Sequence, residues 1–182
     1  FTALNSEYLS VASNAGIQVG TSNITLMAWV YLDSLTGDRT IIAKDSQAHP
    51  NRECALFFNE GVGINVFELN YFSDIDGLAL RATSFGTPST GQWNFIVAAA
   101  VSGVEIRIRV NNGPVDSATT TLAGNSGTAS LLIGALGATP GAFMDGRLAG
   151  AGYWKRLLSA QELTWLYNRG SGRSVSQLML AA

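Results

Sequence analysis

The stretch that most constrains the fold is the run from Phe143 to Gly172, FMDGRLAGAGYWKRLLSAQELTWLYNRGSG. It opens with the pair Asp145-Gly146, which predicts a turn because glycine adopts the positive φ that tight turns need. Side chains then alternate from Leu148 to Trp154 with the two-residue period of a β-strand. Because Trp154 falls in phase with Leu148, we expect both side chains to lie inside the protein.

A short helix is predicted directly after this strand. Ser159-Ala160-Gln161-Glu162 is a capping-box pattern, in which the Ser159 hydroxyl accepts from the Glu162 amide while the Glu162 carboxylate reaches back. Leu163, Leu166 and Tyr167 follow at helical spacing, and Gly170 is expected to end the helix in the left-handed conformation. The run therefore predicts a strand, a short connection and one short helix.

The rest of the chain is typical of short strands separated by turns. Ile24–Leu32 is apolar on both faces, as expected for a central strand covered on both sides, so Trp29 is expected in the core. The alternation around Val104–Val110 directs Arg107 and Arg109 outward. Many short strands with one terminal helix predict an all-β, two-sheet antiparallel sandwich with one short C-terminal α-helix.

Residues of the closing run stand in a fixed order: Asp145, Gly146, Leu148, Tyr153, Arg156, Leu158, Ser159, Glu162 and Leu163. This order resembles the closing segment of the laminin G-like jelly rolls, the pentraxin-type branch of the concanavalin A-like lectin/glucanase superfamily. The opening segment Glu7–Val11 and the strand beginning Gly91-Gln92-Trp93 are similar to the same family. The resemblance implies that the sandwich is a concanavalin A-like jelly roll, a fold that hosts lectins, glycanases and adhesion modules.

The 182 residues predict one laminin G-like domain over residues 1–172. Residues 173–182 form an apolar C-terminal tail, which either docks on the sandwich, enters a partner or begins a following segment. The chain begins at Phe1 and shows no signal peptide, so we expect a mature or excised piece of a longer protein.

Composition excludes several partners. The net charge of −2, with no basic cluster, argues against nucleic acid, and no apolar run is long enough for a membrane span. Charged residues make up 13% of the chain, about half the usual share, which favours an extracellular, cell-surface or virion-surface location and allows a homo-oligomer or larger assembly. The lone Cys54 permits no intrachain disulfide and is expected to be buried.

Catalytic patterns are missing from the sequence. Glycanases on this fold pair carboxylates along one strand face, whereas Glu53, Glu60 and Glu68 are spread over two predicted strands. His49 is the only histidine, and no nucleophile motif accompanies it. We therefore expect no enzymatic activity.

An aromatic platform beside planar polar groups is the pattern that favours sugar binding. Asn70, Tyr71, Asp74 and Asp76 form such a cluster in a predicted loop, although the adjacent Phe72 is equally suited to anchoring that loop to the core. Tyr153-Trp154, next to two basic residues, is a second candidate. The outward arginines of the Val104–Val110 strand face either an acidic glycan, a neighbouring protein or solvent.

Calcium is the one cofactor that the sequence leaves open. Asp74 and Asp76 with Asn70, or alternatively Asp33 with Asp38, offer the oxygen ligands that calcium prefers. The resemblance adds that pentraxin-like relatives use calcium to bridge ligands.

The function predicted from these features is non-catalytic recognition or adhesion at a surface, with a glycan or a surface protein as partner. Carbohydrate is the ligand class that the resemblance implies. The alternative is a structural subunit or decoration protein of an extracellular or viral assembly, which the sparse charge and the apolar tail favour. A glycoside hydrolase on the same fold is the third hypothesis.

Overall fold

The computed structural model describes residues 1–61, 64–73 and 79–172. These residues form two antiparallel sheets and a short C-terminal helix, which confirms the predicted sandwich. The elements are β1 (Leu9–Val11), β2 (Ile24–Leu32), β3 (Arg39–Asp45), β4 (Arg52–Gly61), β5 (Ile64–Phe72), β6 (Ala79–Thr83), β7 (Trp93–Val101), β8 (Glu105–Val110), β9 (Asp116–Thr119), β10 (Leu131–Ile133), β11 (Gly146–Trp154) and α1 (Ala160–Tyr167).

The six-stranded sheet has the order β1-β10-β3-β4-β5-β6, and the five-stranded sheet has the order β11-β2-β7-β8-β9. Their facing side chains form one apolar core, in which Leu26, Val30 and Ile96 of one sheet belong to the same cluster as Leu56 and Phe67 of the other. In β8, Ile106 and Ile108 are buried while Arg107 and Arg109, which alternate with them, are half-buried and outward, as the alternation predicts.

A second apolar layer covers the outer face of the five-stranded sheet. Met27 and Trp29 of β2 and Phe95 of β7 pack with Leu166 of α1 in this layer. The Trp29 ring stacks on Tyr167, with a centroid separation of 5.9 Å and an interplanar angle of 5°. Trp29 is therefore buried as expected, but it lies between sheet and helix rather than between the two sheets.

The capping box of α1 is present in full. The Glu162 amide donates to Ser159 Oγ at 3.2 Å, and the Ser159 amide donates to Glu162 Oε2 at 2.7 Å. The α-helix ends two residues before the predicted stop, because Asn168 already takes the left-handed conformation with φ 45°, and a 3-10 turn continues to Gly170, which is left-handed as expected with φ 89°. Within the described residues, no helix has the length and apolar character that crossing a membrane requires.

The expectation that Trp154 shares the inward face of Leu148 is wrong. A β-bulge between Ala149 and Gly152 shifts the register of β11 against β2. Because one extra residue reverses the alternation beyond it, Tyr153 points into the core and Trp154 points outward, where it packs against the helix layer.

Candidate functional site

A cavity of about 390 Å³ opens at one end of the outer face of the six-stranded sheet. Four segments of the chain enclose it: the start of β1, the β3–β4 connection, the segment before β10 and the β10–β11 connection. Its lining consists of small and polar residues with one aromatic ring: Tyr8, Ser10, Asp45, Ser46, Asn51, Thr128, Ala129, Ser130, Leu132, Gly137, Ala138 and Pro140.

Ser10 and Leu132 belong to paired positions of β1 and β10 and lie on the outer face of the sheet. Tyr8 stands just before β1, and its side chain is 42% exposed. Phe143 supports the ring from one side, with the two centroids 6.3 Å apart. The Tyr8 ring is therefore supported by Phe143 at the edge of the cavity and remains accessible to a ligand.

Asp45 fixes the β3–β4 connection. Its carboxylate accepts from Arg52 Nε and Nη2, both at 2.9 Å, and from the backbone amide of Gln47 at 2.6 Å. The Arg52 guanidinium also lies 3.9 Å over the Phe72 ring. Because the bidentate pair neutralises Asp45, the only charged residue of the lining, the cavity carries no net charge.

The segment before β10 is fastened to the same connection. Asn51 Oδ1 accepts from both the amide and the hydroxyl of Thr128, at 2.8 and 3.0 Å. The Asn125 side chain donates to the carbonyls of Pro50 and Arg52. Gly127 allows this approach, because a Cβ there would lie 2.8 Å from the Asn51 Cα.

A buried ion pair supports this wall from inside the sandwich. Lys44 Nζ lies 2.6 Å from Glu53 Oε1, and both side chains are fully buried. Lys44 Nζ also donates to the carbonyl of Ala129, a lining residue, at 2.7 Å, and the Val19 amide donates to Glu53 Oε2. Burial raises the pKa of Glu53, while Lys44 and the Val19 amide act against that shift.

Several polar groups in the cavity are available to a ligand. Among the described residues, no acceptor takes the Asn51 Nδ2 protons, and the hydroxyls of Ser10 and Ser130 have no hydrogen-bond partner. Thr128 is exposed at the rim. An uncharged cavity with unused hydroxyl and amide groups beside a phenol ring suits a neutral, hydroxyl-rich molecule.

The predicted ligand cluster at Asn70–Asp76 is not assembled as expected. Asn70 and Tyr71 belong to β5 rather than to a loop, and the Tyr71 ring is fully buried in the core. A ring in that position offers no face to a sugar, so the prediction for Tyr71 is wrong. Asn70 is half-buried on the opposite face of β5, and its role as a ligand stays a prediction; Asp74 and Asp76 lie outside the described residues.

The alternative calcium pair, Asp33 and Asp38, lies at the two ends of the β2–β3 connection with both residues exposed. Within residues 1–61, 64–73 and 79–172, no group of three or more acidic, histidine or cysteine side chains is placed to hold a metal ion. Calcium binding at either predicted pair stays a prediction. Cys54 is buried as a free thiol, as expected.

Two of the three glutamates considered for a glycanase, Glu53 and Glu68, have side chains that the structure describes, and each is engaged by a basic residue. Glu53 pairs with Lys44, whereas Glu68 of β5 pairs with Arg81 Nε at 3.1 Å. Burial raises the pKa of Glu68, with Arg81 opposing the shift. The two carboxylates therefore belong to separate ion pairs, and the side chain of Glu60 lies outside the described residues.

None of the residues that line the cavity was selected from the sequence. The polar loop before Arg52 and the Gly-Ala-Thr-Pro run at 137–140 are visible as turn-forming segments, and only the fold shows that they meet. Tyr8 is one of five tyrosines, and its local sequence does not distinguish it from a tyrosine of an edge strand. These loops come together because of the order of the strands in the sheet, and no local sequence motif records that order.

The comparisons with known proteins concern the fold. Over 86–90% of this chain, two solved structures have the same fold: the binding domain of Paraclostridial Mosquitocidal Protein 1 (TM-score 0.66, 14% identity) and a "putative carbohydrate binding protein" from Bacteroides ovatus ATCC 8483 (TM-score 0.65, 18% identity). The chain spans only 41% and 43% of the lengths of those two proteins. No curated protein matches the sequence.

A family model, Laminin_G_3, matches residues 5–164, which include both sheets and most of the helix. The residues that align with it comprise the closing strand, the bulge and the capping box, the same features on which the sequence resemblance stands. The chain belongs to the laminin G-like group of the concanavalin A-like lectin/glucanase superfamily.

Proposed function

We propose that the protein is a non-catalytic recognition module that binds a neutral carbohydrate in the cavity beside Tyr8. The observation that carries the proposal is the lining itself: an accessible phenol ring, unused hydroxyl and amide groups, and no net charge. Sugars present C–H faces that pack on aromatic rings and hydroxyls that need donors and acceptors. The description of the Bacteroides ovatus protein points to the same ligand class for a protein of this fold.

The volume agrees with a saccharide ligand. A cavity of about 390 Å³ lies within the range of roughly 300–1,000 Å³ that small-molecule sites occupy, and its open side allows a longer glycan to continue outward. The walls are held by the Asp45–Arg52 and Asn51–Thr128 contacts before any ligand arrives. Because these side chains are already ordered, binding a ligand costs less conformational entropy.

A glycan array followed by calorimetry tests the proposal. We expect binding to at least one neutral glycan and a loss of affinity of about 2- to 10-fold on Tyr8→Ala, because a packed ring contributes about 0.5–1.5 kcal/mol. Phe85→Ala is the matched control, since Phe85 is an exposed ring outside the cavity, and it should bind as the parent protein does.

The proposal fails if no glycan binds, or if the two variants lose affinity equally. A repeat of the measurement with a calcium chelator separates direct from calcium-dependent binding. Binding that disappears with the chelator and survives Tyr8→Ala would move the site to one of the acidic pairs predicted from the sequence.

A structural role is the second candidate, and one observation favours it. β1 is the edge strand of the six-stranded sheet, and it exposes Leu9 and Val11; Leu4, earlier in the chain, is exposed as well. An apolar edge strand is suited to pairing with another chain. A concentration-dependent mass in light scattering, abolished by Leu9→Lys, would support assembly, whereas a monomer at all concentrations would leave recognition as the function.

A further inference from the structure

A second cavity lies on the other side of the molecule, on the outer face of the five-stranded sheet beside the start of α1. Its volume is about 210 Å³, and it shares no lining residue with the cavity beside Tyr8. Val97 and Ala99 of β7 form the floor, Leu163 of α1 and Val115 form walls, and Arg107 and Arg109 of β8 complete the lining. The lining is thus largely apolar and carries two guanidinium groups.

The sheet register explains why a hollow forms at this point. Ala99 pairs with Arg107, and Val97 pairs with Arg109, in neighbouring positions of β7 and β8. The small side chain of Ala99 leaves space between the helix and the long arginine side chains. Ala99 is 4% exposed and Val97 is 7% exposed, so the floor is made of apolar side chains that the protein already covers for the most part.

The charge at this cavity is not balanced. Arg107 Nη1 pairs with Glu105 Oε1 at 3.4 Å. In the part of the chain that the structure describes, no hydrogen bond or ion pair engages the Arg109 guanidinium. The cavity therefore joins an apolar floor to one uncompensated positive charge, which suits a ligand with one anionic group on a compact apolar body.

The volume limits the size of that body. An apolar cavity of about 150 Å³ accommodates benzene, so this one has room for a single aromatic ring and a carboxylate. A sugar is a poor fit, because an apolar floor cannot satisfy its hydroxyl groups and leaving them unpaired is costly. We propose that this cavity binds a one-ring aromatic carboxylate, with the ring over Ala99 and Val97 and the carboxylate on Arg109.

Benzoate is the probe, and benzyl alcohol is the neutral comparison. In amide NMR titrations of the whole chain, benzoate should shift the signals of residues 97–99 and 107–109 and bind about 10- to 100-fold more tightly than benzyl alcohol, the range expected for a charged hydrogen bond. Arg109→Met should reduce benzoate affinity to the level of the alcohol. Arg147→Met is the control, because Arg147 lies on the same sheet outside the cavity, over the Tyr31 ring.

Ala99→Leu provides an independent check, since the larger side chain fills the floor and should abolish binding of both probes. An unchanged unfolding temperature of Arg109→Met shows that its loss of affinity is not a folding defect. The proposal is overturned if benzoate does not bind at millimolar concentration, if it binds no better than benzyl alcohol, or if Arg109→Met and Arg147→Met behave alike.

Discussion

The buried pair of Lys44 and Glu53 shows how single residues position the cavity wall. Each charge is fully buried, and each also makes hydrogen bonds to backbone groups of segments far apart in the sequence. Burial of a charge is tolerated when it is paired and hydrogen-bonded, and it is costly when the partner is removed. The pair therefore holds the segment around Ala129 in place only while both members are present.

Replacing Lys44 tests this account. Lys44→Met should lower the free energy of unfolding by about 3–5 kcal/mol, because it leaves Glu53 buried without its partner. Lys155→Met is the matched control: Lys155 is exposed, donates to the Ala15 carbonyl, and should change stability by no more than about 0.5 kcal/mol. Urea unfolding of both variants provides the measurement. Equal losses for the two variants would show that the buried pair is not important.

The orientation of Trp154 could not be predicted from the sequence. Its alternation with Leu148 is correct up to the bulge, and the extra residue then directs it to the opposite face. Gly152 accommodates the change, because a Cβ there would lie 2.3 Å from an indole carbon of Trp154. The sequence shows a run of small residues at 149–152 and does not show which of them is the extra one.

A substitution of Gly152 should disturb the packing of Trp154. Gly152→Ala is expected to destabilise the protein by about 1–3 kcal/mol through overpacking. Gly141→Ala is the control, because a Cβ at Gly141 meets nothing within 4 Å. Thermal unfolding should separate the two variants clearly. Equal melting temperatures would contradict the placement of the Trp154 ring over Gly152.

At the scale of elements, the helix is the part that the sequence predicts best. A capping box is a local pattern, so its two hydrogen bonds form from residues three apart wherever the helix packs. The end of the helix is less well determined, because Asn168 and Gly170 both adopt the left-handed conformation and the α-helix stops before the first of them. The local sequence therefore predicts the first residue of α1 but does not predict its last residue.

The helix start should give stability that depends on pH. Arg156 and the Ser159 amide lower the pKa of Glu162 from 4.5 to about 2. Because the folded-state pKa is depressed, the contribution of this carboxylate is present above about pH 4.5 and is lost as the pH falls toward 2. Glu162→Gln should cost about 1 kcal/mol at neutral pH, and this difference from the parent protein should shrink toward pH 2.

Circular dichroism melts between pH 2 and pH 7 measure this effect. Glu7→Gln is the comparison, since Glu7 lies outside the helix and accepts from the Thr2 amide. A difference between Glu162→Gln and the parent protein that stays constant with pH would contradict the role assigned to the Glu162 carboxylate.

At the scale of the whole molecule, hydrophobic periodicity and one local motif were enough to predict the sandwich, because each strand carries its own pattern of burial. The candidate site was not predictable in the same way. Its segments lie around positions 8, 45–51, 128–130 and 137–140, and only the pairing of β1, β10 and β3 brings them together. The domain limits of residues 1–172 remain a proposal, since residues 173–182 lie outside the described part of the chain.

The central claim is that a neutral glycan binds in the cavity beside Tyr8, and an amide NMR titration with the glycan selected on the array tests it most directly. The account predicts that the largest shifts fall on Ser46, Asn51, Thr128 and Ser130, and that residues 97–99 and 107–109 on the other sheet do not move. Shifts centred on Asn70 and Arg81, on the outer face of β8, or nowhere in the spectrum would contradict it.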